Sequence, residues 1–249
     1  MIRPLIRTAA FIAAMVAMSG IAGAQGFPSD LLNTPIEGSV ASWIIRTFGL
    51  ITILSIAPGI LIMVTSFPRF VIAFAILRTG MGLATTPSNM IMVSLALFMT
   101  FYVMAPTFDR AWQNGVDPLL QNQITEQEAL TRISDPFRDF MLANTRDKDL
   151  QLFIDMAQEK GQNLVVDGQV DLRAVIPAFM ISEIRRGFEI GFLIMLPFLV
   201  IDLVVATITM AMGMMMLPPT SISLPFKILF FVLIDGWNLL VGSLVRSFS

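Results

Sequence analysis

The chain has 249 residues, of which 55 % are hydrophobic and only 14 % charged, with a mean hydropathy of +0.77; an average soluble domain is about 25 % charged. It contains no cysteine and no histidine, which excludes disulfides, thiolate or imidazole metal sites, and catalysis built on a histidine. A formal charge of −2 offers no basic field for nucleic acid. The composition belongs in or against a membrane.

Residues 1–24 read as a cleavable signal peptide. Arg3 and Arg7 form a positive n-region, Ala9 to Ser19 is uncharged and mainly apolar, and Ala22-Gly23-Ala24 supplies the small residues of a cleavage site before Gln25. The apolar stretch falls short of the ~20 residues that a bilayer span needs. Residues 25–42 then form an extracytoplasmic N-terminal segment.

An apolar block, 43–107, follows as a first helical hairpin. Thr47 to Arg69 is broken only by Pro58 and Pro68, and Thr79 to Phe108 carries no charge. Both are long enough to cross a bilayer. Arg69 and Arg78 fall in the connection, and by the positive-inside rule they mark a cytoplasmic-facing loop.

The charges concentrate next. Between Asp109 and Arg173 lie 19 of the chain's 34 charged residues, so residues 108–176 read as a polar extracytoplasmic subdomain of short helices. Thr125-Glu126-Gln127-Glu128 is a capping box, and Asp135-Pro136 fits an N-cap followed by proline at the first helical position. Leu150, Phe153, Ile154 and Ala157 share one helical face, which ends at Gly161. Asp167-Gly168 between Leu164-Val165-Val166 and Val170 fits a tight turn or small hairpin.

Residues 177–249 form a second apolar hairpin. Phe188 to Leu224 carries only Glu189 and Asp202, and Ile228 to Val245 is interrupted by Asp235. A carboxylate inside an apolar run costs roughly 2.5–3.5 kcal/mol on insertion scales, so Asp202 and Asp235 pair with another helix or subunit, or lie neutral or at an edge. Lys227 lies eight residues before Asp235, out of direct reach on one helix. Arg185-Arg186 stand on what should be the outer side, against the positive-inside trend. With Pro58, Pro106 and Pro197 inside apolar runs, they point to bent helices buried mainly against protein.

Met210 to Pro219 is the strongest local feature. Gly213 and Pro218-Pro219 bracket Met214, Met215 and Met216 as a turn or loop. Flexible, polarizable methionines there suit both core filling at a helix bend and a deformable plug in an oligomeric ring. No nucleotide-binding loop is present.

Three stretches together resemble the FliP/SctR family of type III protein export-gate subunits. The first runs from Ser66-Phe67-Pro68-Arg69 through Leu77-Arg78 to Ala96-Leu97-Phe98-Met99-Thr100-Phe101-Tyr102-Val103-Met104-Ala105-Pro106. Thr145-Arg146-Asp147-Lys148-Asp149-Leu150 is the second. The third runs from Pro177-Ala178-Phe179 through Ile181-Ser182-Glu183, Gly191-Phe192-Leu193 and Pro197 to Ala206. It continues through Gly213 to Pro219 and Ser223 to Lys227, and ends at Asp235-Gly236-Trp237-Asn238-Leu239-Leu240. Thr86-Pro87-Ser88-Asn89 departs from the family's usual Pro-Pro-Asn-Gln.

The leader and the tail Gly236 to Leu244 favour the flagellar branch over the similar virulence-type (injectisome) subunit. The resemblance implies an all-α, membrane-associated fold of kinked helical hairpins with a small helical extracytoplasmic insertion. It also implies a pentamer-like homo-oligomer with FliQ and FliR, near FlhB and FlhA, in the bacterial inner membrane at the flagellar basal body, with periplasmic exposure. Unfolded flagellar proteins would pass through its centre, and Met214, Met215 and Met216 would form the pore gasket. Glu183, Asp202, Lys227 and Asp235 would be interface ion pairs, with no catalytic residue, cofactor or metal. Two rivals use the aspartates otherwise: a membrane-embedded hydrolase with Asp202 and Asp235 as an acid/base couple, and a proton- or solute-coupled transporter.

Overall fold

A computed structural model describes residues 47–49, 51–52, 55–56, 59–60, 62–166, 169–213 and 218–248, and these are overwhelmingly helical. The expected signal peptide and the segment 25–42 lie outside the described residues. The chain divides into two units, residues 1–62 and 63–249. In the first, the described residues from 47 to 60 are helical. Thr52 and Ser55 donate their hydroxyls to the carbonyls of Phe48 and Ile51, four residues back, each at 2.8 Å.

The second unit opens with α1, Phe67–Gly80. Pro68 sits in the first turn, where its missing N–H is no loss. Phe70, Ala73, Phe74 and Leu77 are all fully buried, at the i, i+3, i+4, i+7 spacing of one helical face. A Schellman turn stops the helix: Gly82 adopts φ +76°, its N–H donates to Thr79 O at 3.0 Å, and the Leu83 N–H donates to Arg78 O at 3.1 Å. The connection expected between two spans is therefore itself a helix. The expected segment Thr47 to Arg69 breaks at Val64–Ser66, and the expected segment Thr79 to Phe108 becomes helical only at Asn89.

Helix α2, Asn89–Ala111, is N-capped by Ser88, whose hydroxyl accepts from the Ile91 N–H at 3.5 Å. It runs through a π-helical turn, Trp112–Val116, into the short α3, Asp117–Leu120. Gly115 makes this possible: a Cβ there would lie 2.4 Å from Ile133 Cγ1 and 3.2 Å from Ala129 O. Both contacts belong to α4, Glu126–Asn144. Thr125 caps α4 as expected, its hydroxyl accepting from the Glu128 N–H at 3.3 Å. Asp135, however, caps nothing. Pro136 lies inside a continuous α4, because Phe137, Phe140 and Met141 pack against Val64, Val175 and Phe179, and that burial outweighs the proline's interior penalty of about 3 kcal/mol.

Helix α5, Asp147–Glu159, buries Ala157 with Phe153 and Ile154 against Leu164 and Ala174. A two-residue antiparallel pair follows, β1 (Val165–Val166) and β2 (Gln169–Val170), with Val165 opposite Val170; the expected turn at Asp167-Gly168 lies outside the described residues.

Helix α6, Leu172–Ala211, has 40 residues and so extends about 60 Å, twice the ~30 Å hydrocarbon core of a bilayer. Asp171 caps it, its carboxylate accepting from the Arg173 N–H at 2.8 Å. The Arg173 guanidinium bonded to it holds that carboxyl below the usual range. The N-terminal half lies against α1 through Gly187 and Gly191, four residues apart. A Cβ at Gly187 would meet Ile72 at 3.1 Å, and one at Gly191 would meet Ile76 Cδ1 at 2.7 Å, so two isoleucine ridges of α1 fill the notches.

The final pair, α7 (Pro219–Leu233) and α8 (Gly236–Arg246), is bent by 63°. The bend sits at Asp235, which takes a left-handed φ of 52°. Phe231 lies so close over Gly236 that a Cβ there would meet its ring at 2.2 Å. Phe198 of α6, Phe231 of α7 and Leu240 and Leu244 of α8 complete the core begun by α1 and by Met92 and Ala96 of α2. Among the described residues, two helical stretches are long and apolar enough to cross a membrane, 89–120 and 172–211, or three if the bent pair counts as one.

Candidate functional site

Arg69 is the centre of a buried polar node. Its position in the first turn of α1 aims the guanidinium at α6, where Nε donates to Glu183 Oε2 at 3.0 Å and Nη2 donates to Oε1. Nη1 donates to both the carbonyl and the hydroxyl of Ser247, at 3.0 and 2.7 Å. The side chains are 1 % and 0 % exposed. This forked geometry is the one in which an arginine–carboxylate pair survives desolvation. Arg69 is therefore not a loop cation facing water, as positive-inside reasoning had it. A cation that has a buried carboxylate partner carries no information about sidedness.

Ser182, beside Glu183, serves a different helix. Its hydroxyl donates to Asp149 Oδ2 at 2.7 Å and accepts from the Arg146 N–H at 3.1 Å. The sequence stretches Thr145–Leu150 and Ile181–Glu183 thus meet in space.

A second node lies at the other end of α1. Lys227 Nζ is 2.5 Å from Asp202 Oδ2 and donates to the Gly80 carbonyl at 3.0 Å. That carbonyl is among the last of α1, left without an intrahelical partner. Ser223 donates to Asp202 Oδ1 at 2.5 Å. Ser223 and Lys227 are four apart on α7 and aim at one carboxylate, a spacing that could have singled out Ser223 from sequence. Asp202 keeps 31 % exposure while Lys227 keeps 4 %, so this node is less sealed than the first.

The expected carboxylates thus separate. Glu183 and Asp202 have cationic partners on other helices of the same chain. Asp235 is exposed at the α7–α8 bend and its carboxylate accepts from the Asn238 amide Nδ2 at 3.1 Å. Arg78 donates to Asn89 Oδ1 and to Pro87 O, tying the end of α1 to the start of α2. No cluster of three or more metal-ligating side chains occurs among the described residues.

Beyond Gly191 the long helix changes character. Phe192, Leu193, Leu199, Val200, Leu203, Val204 and Ile208 are all exposed, Leu203 by 66 %. The run reaches Met210 and Met212, and α7 continues it with Phe226, Leu229, Val232 and Leu233. Soluble surfaces rarely hold contiguous apolar patches of this extent. Gly213, at φ +73°, ends α6 in the left-handed conformation that glycine adopts without cost, and α7 begins at Pro219. Met214, Met215 and Met216 lie outside the described residues.

Long apolar helices with internal prolines, paired charges between helices, and a polar helical insertion define an all-α membrane protein. The sequence matches the FliP family over residues 50–244. It is 84 % identical over 244 residues to the Flagellar biosynthetic protein FliP of Rhizobium meliloti (strain 1021), covering 98 % of this chain and 100 % of that protein. The protein of the same name from Agrobacterium fabrum is 76 % identical over 245 residues, again 98 % and 100 %. That of Bacillus subtilis is 49 % identical over 199 residues, 80 % of this chain and 89 % of that protein. The chain belongs to the FliP family.

Proposed function

We propose that the chain is a flagellar biosynthesis component and, more specifically, a pore-forming core subunit of the flagellar type III protein export gate. Several copies, pentamer-like, assemble with FliQ and FliR, next to FlhB and FlhA. Unfolded flagellar proteins pass through the channel they enclose. The observation that carries this reading is the exposed apolar surface of α6 and α7, which is too bulky and continuous to face water. Family membership and the shared name of the relatives fix the flagellar context.

The mechanism is mechanical. The two charge nodes hold α1, α6 and α7 in one arrangement within each subunit, so the apolar faces are presented in fixed register to neighbouring copies. Met214, Met215 and Met216 follow the exposed end of α6 and close the channel by apolar packing. Unbranched thioether side chains repack around an arriving polypeptide and limit leakage. Asp235, exposed at the bend, is free to meet a cation of another subunit.

The test is ion conductance through the assembled gate after Met214, Met215 and Met216 are changed together to alanine. A raised leak at rest is expected. Unchanged conductance removes the gasket.

A further inference from the structure

The last turn of the chain closes over the Arg69–Glu183 pair in a way that neither the apolar hairpins nor the export role calls for. Helix α8 ends at Arg246, and the Ser247 and Phe248 N–H groups still bond back to Ser243 O and Val245 O, each at 3.1 Å. This prolongs α8 far enough to bring two side chains onto Arg69. Ser247 takes both hydrogen bonds from Nη1. The Phe248 ring lies 3.5 Å from the Arg69 guanidinium carbon, within the range where a cation over an aromatic face is attracted by the ring quadrupole, more strongly when water is excluded.

The same ring touches two other elements. It stacks on Phe70 of α1 at 5.8 Å and on Phe140 of α4 at 6.0 Å, and Phe140 in turn meets Phe179 of α6 edge-on at 5.9 Å. One C-terminal side chain therefore joins the apolar hairpins to the polar insertion. It does so at the place where the insertion helix, the first helix and the long helix converge on one buried ion pair.

We infer that Ser247 and Phe248 form a latch: they complete the burial of Arg69 and Glu183 and lock the insertion helix α4 to α1 only once α7 and α8 have docked. Removing one cover from a buried, forked pair leaves charge with too few partners. Release of the tail therefore opens this node locally, while the distant packing of the insertion is kept. The latch ties α8 to contacts that already hold the insertion against α6, and it makes the sealing of the node depend on Ser247 and Phe248.

The chain has no cysteine, so single reporters can be introduced in the full-length protein in native membranes. Ser66→Cys reports on the node: Ser66 is fully buried one turn before Arg69, and its hydroxyl has no hydrogen-bond partner among the described residues. Ala157→Cys, in the separate cluster of α5, reports on the fold of the insertion. Each is combined with Phe248→Ala, Phe248→Tyr or truncation after Arg246, and labelling by a small maleimide is timed. The latch predicts that Phe248→Ala and the truncation raise labelling at position 66 by about tenfold or more. Phe248→Tyr should keep it near the parent rate, and position 157 should stay unchanged throughout. Continued protection of position 66 without the Phe248 ring overturns the latch. A parallel rise at position 157 also overturns it, since Phe248 is then ordinary core packing whose loss unfolds the whole chain.

Discussion

The two halves of α6 are one continuous helix with opposite surroundings. From Leu172 to Gly191 it presents Ala174, Ala178, Ser182, Gly187 and Gly191, all buried, and the ion-paired Glu183. Small residues let α1 approach until Ile72 and Ile76 sit in the glycine notches. From Phe192 onward the side chains are large, aliphatic or aromatic, and mostly exposed. The first half has one face finished within the chain, with Ile181, Ile184 and Phe188 left exposed on the other. The second half is unfinished, and its residues suit lipid or another subunit. A buried half should respond to substitution through folding, and an exposed half through assembly.

Glu183→Ala gives the largest expected effect. It leaves Arg69 buried without its carboxylate, and breaking such a pair costs about 3–5 kcal/mol; thermal unfolding of the detergent-extracted protein measures it. Replacing Arg69 and Glu183 together with methionine should recover most of that loss. Persistence of the full loss in the double variant would mean that the site matters for something besides charge pairing. Asp202→Asn is expected to cost less, about 1.5–3 kcal/mol. Asp202 is partly exposed, and Lys227 keeps its bond to Gly80 O.

Gly191→Leu drives a side chain into Ile76 and should cost about 1–3 kcal/mol by overpacking, whereas Val200→Leu in the exposed half should leave the melting temperature unchanged. The reverse pattern is expected of Leu193→Asn with Leu203→Asn. Subunit stability should change by less than about 0.5 kcal/mol, while the oligomer on native gels is lost. Equal loss of stability and assembly would erase the distinction between the halves.

The smallest effect is at the N-terminus of α6. Asp171 has a depressed carboxyl pKa because Arg173 bonds to it. Its contribution is present above the ordinary carboxylate range and lost as pH falls through the lowered folded value. Arg173→Ala should flatten that acid limb and leave neutral-pH stability nearly unchanged, as read by melting temperature against pH.

Much of the architecture is legible in the sequence itself. The Thr125 cap and the α5 stripe ending at Gly161 stand in a polar background, where apolar spacing is visible. Helix α1 was hidden for the opposite reason. Phe70, Ala73, Phe74 and Leu77 keep helical spacing, but their neighbours are apolar as well, so the buried face has no contrast. Arg69 then invited a sidedness rule that holds only for cations facing water. Asp135-Pro136 misled because proline marks a helix start only where no helix is already running.

At the site, the apolar runs single out Asp202 and Asp235 as charges needing partners, and the family resemblance adds Glu183 and Lys227. Neither could choose those partners, because pairing depends on which helices cross. Arg69 lies 114 residues from Glu183, and Ser247 lies 178 from Arg69. Ser182 and Phe248 carried no charge to draw attention, and their roles follow from position alone.

Native mass spectrometry of the detergent-extracted complex measures most directly whether the unfinished half of α6 is completed by sister chains. The expected result is one assembly holding several copies of this chain, disrupted by Leu193→Asn with Leu203→Asn but intact with Val200→Leu. A stable single copy, unaffected by either change, would contradict it.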